Sequence, residues 1–111
     1  MVCLLFPQSL AGRAKANKLK PEEFLGGTFT ISNLGSMGVK QFTAIINAPQ
    51  ACILAVGGTD VKVVPKGDGF GTKSVMMVTL SSDHRVVDGM LAATYLQSFK
   101  KHMENPLLLL L

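Results

Sequence analysis

Ser82-Asp83-His84-Arg85-Val86-Val87-Asp88-Gly89 sets a histidine between an apolar run and an amphipathic segment, and the rest of the chain is organised around that junction. Upstream, Ser74 to Leu80 is short, apolar and rich in β-branched residues, which predicts a strand buried on both faces. Downstream, Ala92, Leu96, Phe99 and Met103 recur at helical spacing. Lys100, Lys101 and His102 suit the last turn of that helix, and Asn105-Pro106 stops it. His84 therefore lies where a strand gives way to a helix, a place where a rigid scaffold can hold a catalytic group at an edge. On the residues alone two readings stand. His84 is either a packed or solvated side chain beside a helix capped by Asp88, or a catalytic group.

The whole chain has 111 residues, room for one small domain. Apolar residues make up 48% and charged residues 16%, and mean hydropathy is positive. That balance is greasy for a domain standing alone and suggests a surface covered by a partner. The net charge of +4 is densest at Arg13, Lys15, Lys18 and Lys20, which read as the solvated face of a helix. No aromatic residues interleave with these cations, so a nucleic-acid partner is not expected. A mild positive field suits an anionic substrate. Cys3 and Cys52 lack metal or redox spacing and read as free thiols in a reducing compartment, and no metal site is expected. No apolar run has the length to span a bilayer, and Met1 to Phe6 is too short and uncharged for a secretory or transit segment.

Residues 1–9 are apolar, interrupted by Pro7, and stay unassigned. Residues 10–20 are rich in Ala and Lys and read as the end of a helix. Pro21-Glu22-Glu23-Phe24 predicts one further helical turn, with proline at its first position and glutamates at the positive end of the dipole. After the Gly26-Gly27 turn, Thr28 to Ser32 predicts a strand with Ser32 near its end. Asn33 to Gly38 reads as a loop, and its glycines are not a dinucleotide fingerprint. Phe42 to Asn47 looks extended, Ala48-Pro49-Gln50 makes a turn, and Ala51 to Val56 predicts a strand ended by Gly57-Gly58. Val61 to Pro65 allows another strand, and Lys66 to Lys73, with three glycines, reads as the clearest solvent loop.

The pattern His84, three residues, Asp88-Gly89 resembles the signature of the chloramphenicol acetyltransferase-like acyltransferases. Asp83 to Gly89, taken with Gly26-Gly27-Thr28-Phe29-Thr30-Ile31-Ser32-Asn33-Leu34-Gly35, is similar to the catalytic domain of the dihydrolipoamide acyltransferases of 2-oxo acid dehydrogenase complexes. Ser32 to Gly35 followed by Ile45 to Leu54 looks most like the acetyl-transferring branch that serves pyruvate dehydrogenase complexes, and less like the succinyl or branched-chain ones. The resemblance covers residues 10–111 and implies the C-terminal part of the catalytic domain: an α/β, partial chloramphenicol acetyltransferase-like fold with a mixed sheet and flanking helices. It further implies a homotrimer or larger core, other subunits of a 2-oxo acid dehydrogenase complex as partners, no membrane, and the mitochondrial matrix.

The implied reaction moves an acetyl group between dihydrolipoamide and coenzyme A. The resemblance implies coenzyme A as a substrate and a lipoyl group carried on a separate domain not expected in this chain. A thiol of ordinary pKa, about 8.5, is mostly protonated at neutral pH and needs a base. The resemblance implies His84 as that base and the Ser32 hydroxyl as donor to the oxyanion, with direct transfer and no acyl-serine. Asp88 is implied as structural support, paired in the wider family with an arginine near the start of the domain. In that family the histidine of one subunit faces the serine of the next, and the C-terminus docks into a neighbouring trimer, which assigns Leu107 to Leu111 to assembly. The alternatives are a truncated, non-catalytic component of the multienzyme core and a branched-chain or succinyl acyltransferase.

Overall fold

Strands β1 (Thr30–Asn33), β2 (Cys52–Lys66) and β3 (Gly69–Ser82) form one mixed sheet in that order, β1 parallel to β2 and β2 antiparallel to β3. The computed structural model describes residues 2–110, with side chains from residue 7 onward. Two helices precede the sheet, α1 (Val2–Lys15) and the single turn α2 (Pro21–Phe24). Helix α3 (Gly89–Glu104) and a 3-10 turn (Pro106–Leu110) follow it.

Local chemistry explains the helix ends. Asn17 takes φ of +53°, its amide bonds the Ala14 carbonyl at 3.0 Å, and the Lys18 amide bonds the Arg13 carbonyl at 2.8 Å. These are the two bonds of a Schellman stop, so α1 ends at Lys15 and does not continue to Lys20. In α2, Pro21 stands at the first position and the Glu23 carboxylate accepts the Lys20 amide at 2.9 Å. Arg13 reaches the same glutamate at 2.5 Å and ties α1 to α2.

The sheet departs from the sequence expectation in three ways. Gly57-Gly58 does not end a strand: β2 continues through it, with a register shift between Val56 and Thr59. A Cβ on Gly57 would sit 2.0 Å from the Lys40 carbonyl oxygen, so glycine is there because another backbone crosses the strand. The crossing segment is held by the Leu34 amide on the Val56 carbonyl, the Gly58 amide on the Val39 carbonyl at 2.8 Å, and a 2.7 Å Lys40–Asp60 ion pair. Phe42 to Asn47 carries no strand pairing, and the Gln50 amide closes the following turn on the Asn47 carbonyl.

Second, Lys66 to Lys73 is not a loop. Lys66 pairs with Gly69 across a two-residue turn, where Gly67 takes φ of +58°, and Gly69 and Gly71 belong to β3. The Lys66 stem lies over Gly71, 3.4 Å from where a Cβ would be, and fills the space that glycine leaves. The resulting ribbon projects: the radius of gyration is 17.0 Å, against roughly 13 Å for a compact chain of this length.

Third, Ser74 to Leu80 lies in β3 but none of its residues is buried, because β3 is an edge strand here. Among the described residues the buried hydrophobic side chains are Ile53, Leu54 and Ala55, all on the central strand. Leu54 sits between Ile31 and Leu80 in the register, and Ile31 is itself 67% exposed. Helix α3 meets the sheet loosely. Tyr95 packs on Phe29 with ring centres 6.0 Å apart, while an open groove of about 660 Å³ runs between β3 and α3, floored by Met76 and Val78 and walled by Leu96, Phe99 and Met103. Leu107, Leu109 and Leu110 are also exposed, and Leu111 lies outside the described residues. Cys52 is a half-buried free thiol, and the Cys3 side chain lies outside the described residues.

Candidate active site

His84 occupies the second position of a turn that starts at Asp83. The Asp83 carbonyl accepts the amides of Val86 at 3.0 Å and Val87 at 2.9 Å, closing the backbone around His84 and Arg85. The Asp83 amide donates to the Ala51 carbonyl at 2.8 Å, which fastens the turn to the start of β2. Gln50, next to Ala51, accepts the Thr30 hydroxyl, so the same anchor reaches β1. The His84 side chain is exposed at the end of the sheet.

Asp88 closes the other side. Its carboxylate accepts the Leu91 amide at 2.7 Å, the N-cap of α3 that the sequence suggested. Both arginines of the chain are engaged elsewhere, Arg13 with Glu23 and Arg85 with Asp83. Asp88→Ala is expected to lower stability by about 1 kcal/mol through loss of the cap, while Asp88→Asn stays near wild type. Urea denaturation of the two variants checks this.

Asp83 and Arg85 form a fork: Nε of Arg85 donates to both carboxylate oxygens and Nη2 reaches Oδ2 at 2.7 Å. This guanidinium, helped by the Arg85 amide, draws the Asp83 carboxyl down from its ordinary 3.8 to about 2. The folded value is the lower one, so the contribution is fully present above pH 3.8 and is lost as pH falls toward 2. Protection of the Val86 and Val87 amides, measured against the intrinsic exchange rate at each pH, is expected to fall across that window, and NMR at stepped pH reads it.

Ser32 is half-buried in β1, in register with Ala55 and, through it, Thr79. Asp83 is bonded to Ala51, the residue just before β2 and four residues ahead of Ala55. With about 3.3 Å per residue and about 4.8 Å between strands, Ser32 and the His84 turn are roughly 15 Å apart. His84 and Asp88 thus lie on one short segment, the turn and the cap of α3, and Ser32 lies apart from them on β1. Sequence reasoning missed the role of Asp83 as the hub of the turn. The signal was present, since aspartate at the first position of a turn bonds the backbone two residues on.

The family described as 2-oxoacid dehydrogenases acyltransferase (catalytic domain) matches residues 7–111. The chain belongs to this family. A mitochondrial dihydrolipoyllysine-residue acetyltransferase component of the pyruvate dehydrogenase complex, from Schizosaccharomyces pombe, is 62% identical over 102 residues, covering 89% of this chain and 21% of the relative. The corresponding component from Rickettsia conorii is 53% identical and covers 94% of this chain and 25% of the relative. The acyltransferase-family chain thus spans a fifth to a quarter of the length of these curated relatives. Among solved structures, the Azotobacter vinelandii dihydrolipoamide acetyltransferase superposes with a TM-score of 0.87 at 34% identity, covering 96% of this chain and 44% of that one. That enzyme was studied for the role of a serine, a histidine and an asparagine in its catalytic mechanism. The cubic core of a pyruvate dehydrogenase multienzyme complex superposes with a TM-score of 0.85 at 35% identity, covering 94% of this chain and 43% of that one.

Proposed function

We propose that this chain carries the histidine-bearing, C-terminal part of an acyltransferase catalytic domain that moves an acetyl group between dihydrolipoamide and coenzyme A. One observation carries the reading. The intervals between the serine, histidine and asparagine of the Azotobacter vinelandii enzyme equal those between Ser32, His84 and Asp88. The substitution of asparagine by aspartate keeps the acceptor that caps α3. The acetyltransferase names of the relatives favour acetyl over branched-chain or succinyl groups.

In the proposed step the coenzyme A thiol gives its proton to the His84 imidazole as sulfur attacks the thioester carbonyl of acetyl-dihydrolipoamide. The carbon–sulfur bond to the lipoyl arm then breaks, and the departing thiolate takes the proton back from the imidazolium. Negative charge on the carbonyl oxygen meets the Ser32 hydroxyl. As in the family that the His84 motif resembles, one site takes its histidine and serine from different copies in a homotrimer or larger core. A separation of roughly 15 Å between Ser32 and the His84 turn within one chain supports that reading, with the exposed leucines 107, 109 and 110 as a further contact. Other subunits of a 2-oxo acid dehydrogenase complex are its partners and the mitochondrial matrix is its location, a reading supported by the Schizosaccharomyces pombe relative, whose name calls it mitochondrial.

The test is coenzyme A acetylation from acetyl-dihydrolipoamide by the purified chain, with its oligomeric mass taken on the same preparation. Transfer by a trimer or larger particle is the expected result. A folded chain without transfer favours the second reading, a non-catalytic core component, which its coverage of only 42–44% of the solved relatives motivates. In the active assembly, Ser32→Ala is expected to lower kcat about a hundredfold with KM nearly unchanged, as loss of one oxyanion donor does.

A further inference from the structure

We propose that Asp83 is a positioning residue for His84: it locks the turn that presents the imidazole, and Arg85 serves to hold the Asp83 carboxylate in place. The proposal rests on the reading of His84 as the base. Every polar group of Asp83 is used around its neighbour. Its amide is tied to Ala51 at 2.8 Å, and its carbonyl takes the amides of Val86 and Val87. Its Oδ1 accepts the Arg85 amide at 3.0 Å, an Asx turn that spans His84. His84 is thus closed over twice, once by the backbone of Asp83 and once by its side chain.

Arg85 faces solvent, with 89% of its side chain exposed against 23% for Asp83. An exposed ion pair of this kind adds little stability by itself. Its consequence is geometric, because a forked guanidinium fixes the plane of the carboxylate, and with it the direction of the Oδ1 that receives the Arg85 amide. The turn also has no slack at its far end, since Asp88, the cap of α3, follows Val87 directly. A base must hold its nitrogen within hydrogen-bond reach of the thiol, and a misplacement of about 1 Å can cost about a hundredfold in rate.

The experiment compares Asp83→Ala and Asp83→Asn in the 111-residue chain, with two readouts. The first is kcat and KM for acetyl transfer. Asp83→Ala is expected to lower kcat about 30- to 100-fold with KM for both substrates nearly unchanged, whereas Asp83→Asn, which keeps an oxygen acceptor for the Arg85 amide but loses the forked ion pair, restores part of the loss. The second readout is independent of activity: the side-chain couplings of His84 and the amide exchange of Val86 and Val87 by NMR. One dominant rotamer and slow exchange are expected in the wild type and in Asp83→Asn, with averaged couplings and fast exchange in Asp83→Ala. Wild-type kcat or unchanged couplings in Asp83→Ala overturn the assignment, and so does an asparagine variant as impaired as alanine. If Asp83→Ala does not fold, freely averaging His84 couplings in the wild type overturn it. A chain that transfers no acetyl group defeats the reading of His84 as base, while the couplings still decide whether Asp83 holds the turn.

Discussion

Replacing His84 with alanine is expected to lower acetyl transfer in the active assembly by about a thousandfold, within the span of general-base contributions. The proposed reaction exchanges one thioester for another, and the attacking thiol, mostly protonated at neutral pH, needs a base to become nucleophilic. Asp83 and Asp88 flank the histidine but are engaged in the backbone of the turn and the cap of α3. The variant is expected to keep the wild-type circular dichroism and melting curve, because the imidazole is exposed and contributes nothing to the core. KM is expected to change little. Turnover within a few-fold of wild type, measured as coenzyme A acetylation, would sink the mechanism.

The largest effect on stability is expected at Gly57. An added methyl would stand 2.0 Å from the Lys40 carbonyl oxygen, 2.7 Å from its carbon and 3.2 Å from the Met77 carbonyl oxygen. All three are backbone atoms, so no side-chain rotation makes room. The segment from Leu34 to Lys40 is not free to yield, because the Leu34 amide and the Val39 carbonyl are both bonded to the strand. Gly57→Ala is therefore expected to destabilise the chain by about 3 kcal/mol, the upper part of the overpacking range. Gly12 in α1 is the internal control. Nothing lies within 4 Å of its added Cβ, and Gly12→Ala is expected to stabilise by up to about 1 kcal/mol through helix propensity. The denaturant midpoints of the two variants should move in opposite directions. A Gly57→Ala midpoint equal to wild type would mean that Lys40 does not cross the strand there.

Helix α3, its Asp88 cap and the short turn α2 were legible in the amino-acid order because each depends on contacts within a few residues, and strand β1 was legible from its β-branched and aromatic composition although its pairing with β2 is long-range. Capping carboxylates, a proline at a first helical position and the spacing of Ala92, Leu96, Phe99 and Met103 carry their structure locally. The motif around His84 was legible for the same reason, and so was the family. Glycines were the ambiguous letters. At Gly57-Gly58 and at Gly69 and Gly71 they look like breaks, yet β2 and β3 run through them. The sequence alone does not distinguish a glycine that turns the chain from one that lets a Lys40 carbonyl or a Lys66 stem lie close.

Burial was the other blind point. An apolar run such as Ser74 to Leu80 records the environment a strand suits, and here it lies on an edge of the three-stranded sheet with an open groove beside it. By itself the sequence determined the motif around His84, the family it points to and where the chain turns from strand to helix. The tertiary structure decided how far the Ser32 strand position stands from the His84 turn and that Asp83 ties this turn to Ala51. Both depend on strand register and on hydrogen bonds between residues distant in sequence, such as Asp83 to Ala51, and no local pattern encodes those.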